Sequence, residues 1–257
     1  MREKVLLDEF TWPELYQKIS RSDVAYFPVG TQEGHGPHLP MGTDVYVATG
    51  TGVLASQKGG GVVLHPLGYC FTGATNAFRG TVSIPMHLEM EVIKAIIRNL
   101  WQQKFRAIFV LSIHEPNEIP IMMALRELFE YERITASYFN PYTFIDAKKY
   151  GYDEPAKEAA MCYASMELLG LGELIPDLTQ LKDEEKPPLD LPGRDKLRTG
   201  YHFTHMLQHM PTRKVEVAKG MQMLDEVSDE LISQVDSLRE YSRFIEQGGN
   251  PPFSVKP

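Results

Sequence analysis

Apolar positions along this chain recur with two periods, and their alternation sets the expected order of elements. Four short, continuous apolar runs have the length and the β-branched or aromatic content of buried strands: Val24–Val29, Val62–Pro66, Arg106–Ile113 and Ile134–Phe139. Between them lie segments with helical spacing. Leu7–Ser20 predicts a short amphipathic helix with Trp12-Pro13 at its start and Tyr16 and Ile19 on its inner side. Val45–Gln57 is a helix of small residues suited to close packing on a sheet, ended by Gly59–Gly61. In His87–Gln103 the periodicity puts Leu88, Val92, Ile96 and Leu100 inward, with Glu89 or Glu91 paired with Lys94 or Arg98 on the wet side. Further helices are expected over Ile119–Tyr131 and Ala156–Leu171, and as one long closing element over Val217–Phe244.

Strands that alternate with helices call for a parallel sheet wrapped on both faces. The expected fold class is therefore α/β, a three-layer α/β/α sandwich around a mostly parallel sheet, with residues 1–257 forming a single domain. Arg106–Ile113, the most apolar run, should be central. Two stretches read as loops. Leu67–Ile84 carries Tyr69, Phe71 and Phe78, which serve either as a pocket wall or as satellite core. Asn140–Pro155 carries Tyr142, Phe144, Tyr150 and Tyr152 and suits a cover over a site. From Ile175 to Thr199 the composition shifts to Pro, Asp, Glu and Lys, a surface excursion.

Composition narrows the class of partner. With 257 residues, 43% hydrophobic and 23% charged, the chain has the make-up of a soluble globular protein. A net charge of -8 argues against nucleic acid or an anionic membrane as partner. The amino terminus lacks the apolar core of a signal peptide, and no run approaches the ~18–20 apolar residues of a membrane helix. The two cysteines, Cys70 and Cys162, form no CxxC pattern, so a reduced, cytoplasmic setting is expected, with Cys70 a small buried residue.

The chemistry concentrates where the first strand ends. Val29–Asp44, VGTQEGHGPHLPMGTD, packs Glu33, His35, His38 and Asp44 among Gly34, Gly36, Pro37 and Pro40. Carboxylates and imidazoles this close, on a loop at a strand's carboxyl end, fit a divalent-metal site, and the mixed nitrogen and oxygen donors favour zinc, manganese or iron. The pattern repeats after Arg106–Ile113, where His114, Glu115, Asn117 and Glu118 follow. His202, His205 and His209 would share a helix face and are read as a subunit contact or structural face in preference to a second metal site.

The stretch Glu33-Gly34-His35-Gly36-Pro37-His38-Leu39-Pro40, followed by Thr43-Asp44, resembles the signature of the creatininase (creatinine amidohydrolase) family. Phe78-Arg79-Gly80-Thr81-Val82-Ser83-Ile84 is similar to that family's Phe-Pro-Gly-Thr-Ile-Ser segment, and His114 stands where the family has Asn-Gly-His. A weaker echo at Val217-Ala218-Lys219-Gly220 extends the likeness over most of the chain. The resemblance implies a creatininase-like sandwich, usually a homohexamer, with two divalent metal ions that open small cyclic amides. It also implies that Glu33, Asp44 and His114 hold one ion and that His35 and Asp44 hold the other, with Asp44 bridging. A ligand for the second ion is then missing, since creatininase's glutamate position is Pro116 here; Glu115, Glu118 and Glu158 are the candidates to supply it.

The family's catalytic-histidine segment is best matched by Lys157-Glu158-Ala159-Ala160-Met161, with Glu158 in place of the histidine. The expected reaction is attack on a carbonyl by a water that two cations have acidified. Glu158, His38 or Glu115 would pass the proton, and Asn76, Tyr69, Phe78 and Asn117 would surround a small polar ring. A cyclic amide is the first substrate class. An oxidised inositol cut between two carbons, as in inositol breakdown, is the alternative, and an inactive binding module on the same fold is a second.

Overall fold

The computed structural model describes residues 3–180 and 214–249. The histidine segment 201–210, residues 181–199 of the excursion and the tail from 250 onward lie outside the described residues.

Four strands, β1 (Val24–Pro28), β2 (Val62–Val63), β3 (Ala107–Leu111) and β4 (Ser137–Phe139), form a sheet in the order β2-β1-β3-β4, and every described pairing is parallel. Each residue of β1 and β3 is buried, as a strand covered on both faces requires. Alternation along the strands divides the core in two. Val24, Tyr26, Ala107, Phe109 and Leu111 face α2 (Thr43–Gly59), α5 (Glu154–Leu168) and α6 (Val217–Ser233). Ala25, Phe27, Ile108 and Val110 face α3 (Met86–Gln102) and α4 (Glu118–Glu132). This is the α/β/α sandwich. Each fully buried Ile, Leu or Phe in these layers contributes ~1.5–3 kcal/mol.

The expected helix of small residues is α2, and its composition has a packing reason. A Cβ added at Gly52 would stand 3.2 Å from Leu111 Cδ1 and Val63 Cγ1, so the helix rides directly on the sheet.

Several boundaries differ from the sequence expectation. The first helix, α1 (Trp12–Ile19), starts only after a short 3-10 turn at Leu7–Glu9, because Thr11 caps it in an extended conformation. Leu15 and Ile19 pack against the core, whereas Tyr16 is exposed. The long closing helix breaks at Gln234 into α6 and α7 (Val235–Glu246). The break redirects the chain: α6 packs on α2 and α5, while α7 turns beneath the sheet, where the Ser242 hydroxyl donates to the Arg106 carbonyl at 2.7 Å. In α3 the inner face is shifted by one position. Glu89, Ile93, Ile97 and Leu100 are buried and Leu88 is exposed, so a glutamate expected on the wet side lies in the interior. Lys94 does pair with Glu91, at 2.7 Å, but it is itself buried and also meets Glu127 of α4.

Among the described residues no helix is long and apolar enough to cross a membrane. Cys70 and Cys162 are both buried and unpaired with each other.

Candidate metal centre

The strand order places the chemistry. From β1 the chain passes to β2 on one side and later to β3 on the other, so the connections diverge between the carboxyl ends of β1 and β3, the crevice where open α/β sheets bind ligands. The segment after β1 stays buried through Val29, Gly30 and Thr31. Gly30 is required there, since a Cβ would stand 2.7 Å from the Val45 nitrogen and push α2 away. That close approach seats Asp44, in the first turn of α2, against the end of β1. The helix begins two residues earlier than its pattern indicated because the Thr43 hydroxyl closes a turn onto the Pro40 carbonyl at 2.7 Å. A carboxylate in a helix's first turn also meets the positive end of its dipole.

His114 leaves the end of β3, and Glu158 comes from α5, capped by Asp153, whose side chain accepts the Ala156 N–H at 3.0 Å. The buried Lys157 ammonium beside it donates to the Tyr142 and Ile145 carbonyls at 3.2 and 3.1 Å, which ties the loop after β4 to the helix that bears Glu158.

Five of the expected residues converge. His114 Nδ1 stands 3.0 Å from Glu33 Oε1 and 3.3 Å from Asp44 Oδ2. His35 Nε2 stands 3.3 Å from Asp44 Oδ1, 3.7 Å from Glu33 Oε1 and 3.9 Å from Glu158 Oε1. Two ligand groups result, Glu33–Asp44–His114 and His35–Asp44–Glu158, with one Asp44 oxygen turned to each histidine. Glu158, expected as a proton carrier and as one of three candidates for the missing ligand, thus stands in the second group, with His35 and Asp44.

The far nitrogen of each histidine is engaged by backbone. His114 Nε2–H donates to the Phe71 carbonyl at 3.0 Å and His35 Nδ1–H to the Glu33 carbonyl at 3.1 Å. In the neutral rings these bonds turn the lone pairs of Nδ1 and Nε2, respectively, toward the carboxylates, as in metal-ligating histidines. Lone pairs and carboxylate oxygens at such range repel unless positive charge lies among them. The protonation directions express the same demand. Burial opposes charge on His35, yet Asp44, then Glu158 and Glu33, raise it to about 10. His114 is likewise raised well above the usual imidazole range against the cost of burial, chiefly by Asp44. Burial works to raise Asp44, but the facing imidazoles hold it well below the ordinary carboxylate range. Burial raises Glu158 to about 7, with His35 opposing and Asp44 and Glu33 adding to it. Divalent cations meet the requirement with all three carboxylates ionised, so the donor set fits them.

Two hydroxyls that sequence reasoning missed complete the arrangement. Thr31 Oγ1–H donates to Asp44 Oδ2, and Thr75 Oγ1–H donates to Glu33 Oε2. Threonines carry no signal of their own; position two before Glu33 was the one clue for Thr31.

The other expected residues lie apart. His38 is fully buried, with neither ring nitrogen hydrogen-bonded among the described residues, and burial, then the charge of His35, lowers its pKa. Its carbonyl accepts the Tyr163 hydroxyl, so the residue serves the packing of the loop on α5. Glu115 is exposed in a 3-10 turn outside both ligand groups, and Glu118, exposed, opens α4. Asn117 is buried, its Nδ2 donating to Ser112 Oγ at 3.3 Å, and so is held away from an incoming molecule. Tyr69 and Asn76 are exposed and Phe78 is half-buried, all on the loop that carries Thr75. A separate open groove, lined in part by Arg21, Asp23, Arg239 and Arg243, lies at the amino-terminal edge of β1, remote from the carboxyl-end cluster.

A family model described as creatininase, creatinine amidohydrolase, matches residues 8–235. The creatinine amidohydrolase of Pseudomonas putida is 30% identical over 138 residues, 50% of this chain and 53% of the relative. The 3-dehydro-scyllo-inosose hydrolase of Thermotoga maritima is 24% identical over 137 residues, 53% of this chain and 44% of that protein. The chain thus spans about half the length of these curated relatives. A solved creatininase structure, the manganese form, superposes with a TM-score of 0.69 at 22% identity, over 93% of this chain and 99% of that one.

Proposed function

The chain belongs to the creatininase family of hydrolases, and we propose that it is a divalent-cation-dependent hydrolase that opens a small polar ring, first of all a cyclic amide. The observation that carries the proposal is Asp44, buried between two histidines with one carboxylate oxygen 3.3 Å from each. Such a carboxylate is placed to bridge two cations. Glu33 and His114 would complete one ligand set, His35 and Glu158 the other. Cations so held polarise a substrate carbonyl and acidify water.

The chain's own groups then have separable tasks. Thr31 and Thr75 hold Asp44 and Glu33 so that each presents a fixed oxygen. Of the five converging side chains, Glu158 is the most accessible, at 15% exposure against 2–6% for the rest. The mouth of the site is therefore at Glu158, and a substrate meets this carboxyl first. Burial raises this carboxyl in the metal-free site; ionised beside a cation it would serve as a ligand, and a carboxylate there would take a proton from the attacking water and pass it to the leaving atom. Tyr69, Asn76 and Phe78, borne by the same loop as Thr75, are assigned to enclosing the ring.

A second reading, hydrolytic carbon–carbon opening of an oxidised inositol, is supported by the Thermotoga maritima relative and by a carboxyl in place of an imidazole at position 158. An enolate leaving group needs different protonation from an amine. The deciding experiment loads metal-free protein with manganese or zinc, measures equivalents bound, and screens creatinine, other lactams and oxidised inositols. Two equivalents with lactam turnover supports the first reading, and inosose turnover alone transfers the site to the second. One equivalent or none, with no turnover, leaves a binding module.

A further inference from the structure

The one carboxylate whose place the helical pattern misassigned is connected to the site. Glu89, in the first turn of α3, is fully buried on the sheet face opposite α2, and burial raises its carboxyl to about 7. Interior carboxyls are rare because desolvation costs several kcal/mol unless hydrogen bonds offset it. Here Glu89 Oε2 accepts the Phe71 backbone N–H at 2.9 Å, while Oε1 is buried without a hydrogen-bond partner among the described residues. Phe71 in turn offers its carbonyl to His114 Nε2–H at 3.0 Å, and His114 Nδ1 faces Glu33 and Asp44. One uninterrupted chain of contacts therefore runs from the interior face of α3 through a single loop residue to a ligand of the first group. It enters the first group at His114, and the second group shares Asp44 with the first.

Glu89 adds a tie at the point of the loop that meets His114. Residues 64–85 cross the carboxyl edge of the sheet with no strand and one short 3-10 turn, Gly73–Ala77. The ends of this loop are tied to the first strand and the segment after it, by the Leu64 N–H to the Tyr26 carbonyl at 2.8 Å, the Leu67 N–H to the Pro28 carbonyl at 3.0 Å and the Val82 N–H to the Gln32 carbonyl at 3.0 Å, and its middle by Thr75 on Glu33. Phe71 lies between these ties, and its own backbone is held by the N–H on Glu89 and the carbonyl on His114. Glu89 is the contact that refers Phe71 to a rigid helix.

We propose that Glu89 is a positioning residue for the metal centre: by holding Phe71 it sets the ring plane and tautomer of His114, and so the affinity of the Glu33–Asp44–His114 group for its cation. This rests on the two-cation reading above, and the test separates the two. Metal-free wild type, Glu89→Leu and Glu89→Gln are titrated with cobalt(II), whose absorption reports stoichiometry and coordination. The Gln variant retains an oxygen acceptor for the Phe71 N–H; the Leu variant does not. The expected result is two cobalt equivalents in wild type, one of them weakened by at least ~10-fold in the Leu variant and restored to within about threefold in the Gln variant. Should the Leu variant not fold, Glu89→Asp, which withdraws the acceptor by one methylene, must show the same selective weakening. Equal weakening of both equivalents, no weakening in either the Leu or the Asp variant, or a Gln variant as impaired as Leu overturns the inference while leaving the metal centre in place. Wild type that binds no cobalt removes the metal centre and the inference together.

Discussion

In the half of the site built on Glu33, Asp44 and His114, each ligand is backed by a second group: Thr75 on Glu33, Thr31 on Asp44 and the Phe71 carbonyl on His114. In the other half His35 is braced by the Glu33 carbonyl, but Glu158 arrives from α5 and is the member most open to solvent. The first half is a closed cage at the junction of β1 and β3. The second is the more exposed, at Glu158. Closed, braced sites favour tight binding, and accessible ones favour exchange of ligands and protons, so the two halves should respond differently to perturbation.

The largest effect is expected where the halves meet. Asp44→Ala removes an oxygen from both ligand groups at once, so both cations should be lost and turnover should fall by on the order of 10³-fold or more. Metal analysis beside the turnover assay checks this, and a variant that still holds two equivalents would undo the idea of a shared carboxylate.

Next comes the open half. Glu158→Gln should lower turnover by at least ~100-fold and weaken one of two cobalt equivalents while sparing the other. Loss of turnover with both equivalents intact would make Glu158 a proton carrier only. Intact turnover would deny it either role.

A smaller effect should come from the braces of the closed half. Thr75→Val removes the hydroxyl that orients Glu33 and keeps the side chain's volume, so it should weaken one equivalent by roughly 10-fold, with the His35–Glu158 half unaffected. Equal weakening of both would mean that the halves are not separable.

Legibility in the sequence divides along the same line. The closed half was open to reading because its residues come from a short motif after β1 and from the end of the most apolar strand, both places that the strand pattern itself marks. Glu158 was visible as a proton carrier and as one of three candidate ligands, but not singled out among them: a glutamate near the start of a helix has the same local pattern whether it faces water or a cation. Glu115 looked the better ligand in one dimension because it adjoins His114, yet the chain turns into a 3-10 helix there and carries it to the surface. His38 and Asn117 went the other way, into the core. The sandwich itself was legible, since continuous apolar runs separated by helical periods admit few topologies. The phase of α3 was not: Leu88 and Glu89 are adjacent, and only the connection of Glu89 to the site loop decides which of them turns inward.

That buried carboxyl gives the prediction with the least effect on turnover and a distinct pH signature. Glu89 is raised from 4.5 to about 7, first by burial and against the pull of the Phe71 N–H. Between those values the folded chain holds a proton that the unfolded chain has released, so stability from this group is complete below about 4.5 and is lost as pH rises through about 7. Glu89→Gln has no such proton to lose and keeps the acceptor for Phe71. Urea unfolding of the metal-free proteins should therefore show the variant gaining roughly 1–3 kcal/mol on wild type between pH 5 and pH 8, with turnover of the loaded enzymes nearly equal. Parallel stability profiles would mean that the Glu89 carboxyl ionises in the interior as freely as in water, and the closed half would then be braced by a charge rather than by a neutral hydrogen-bonding group.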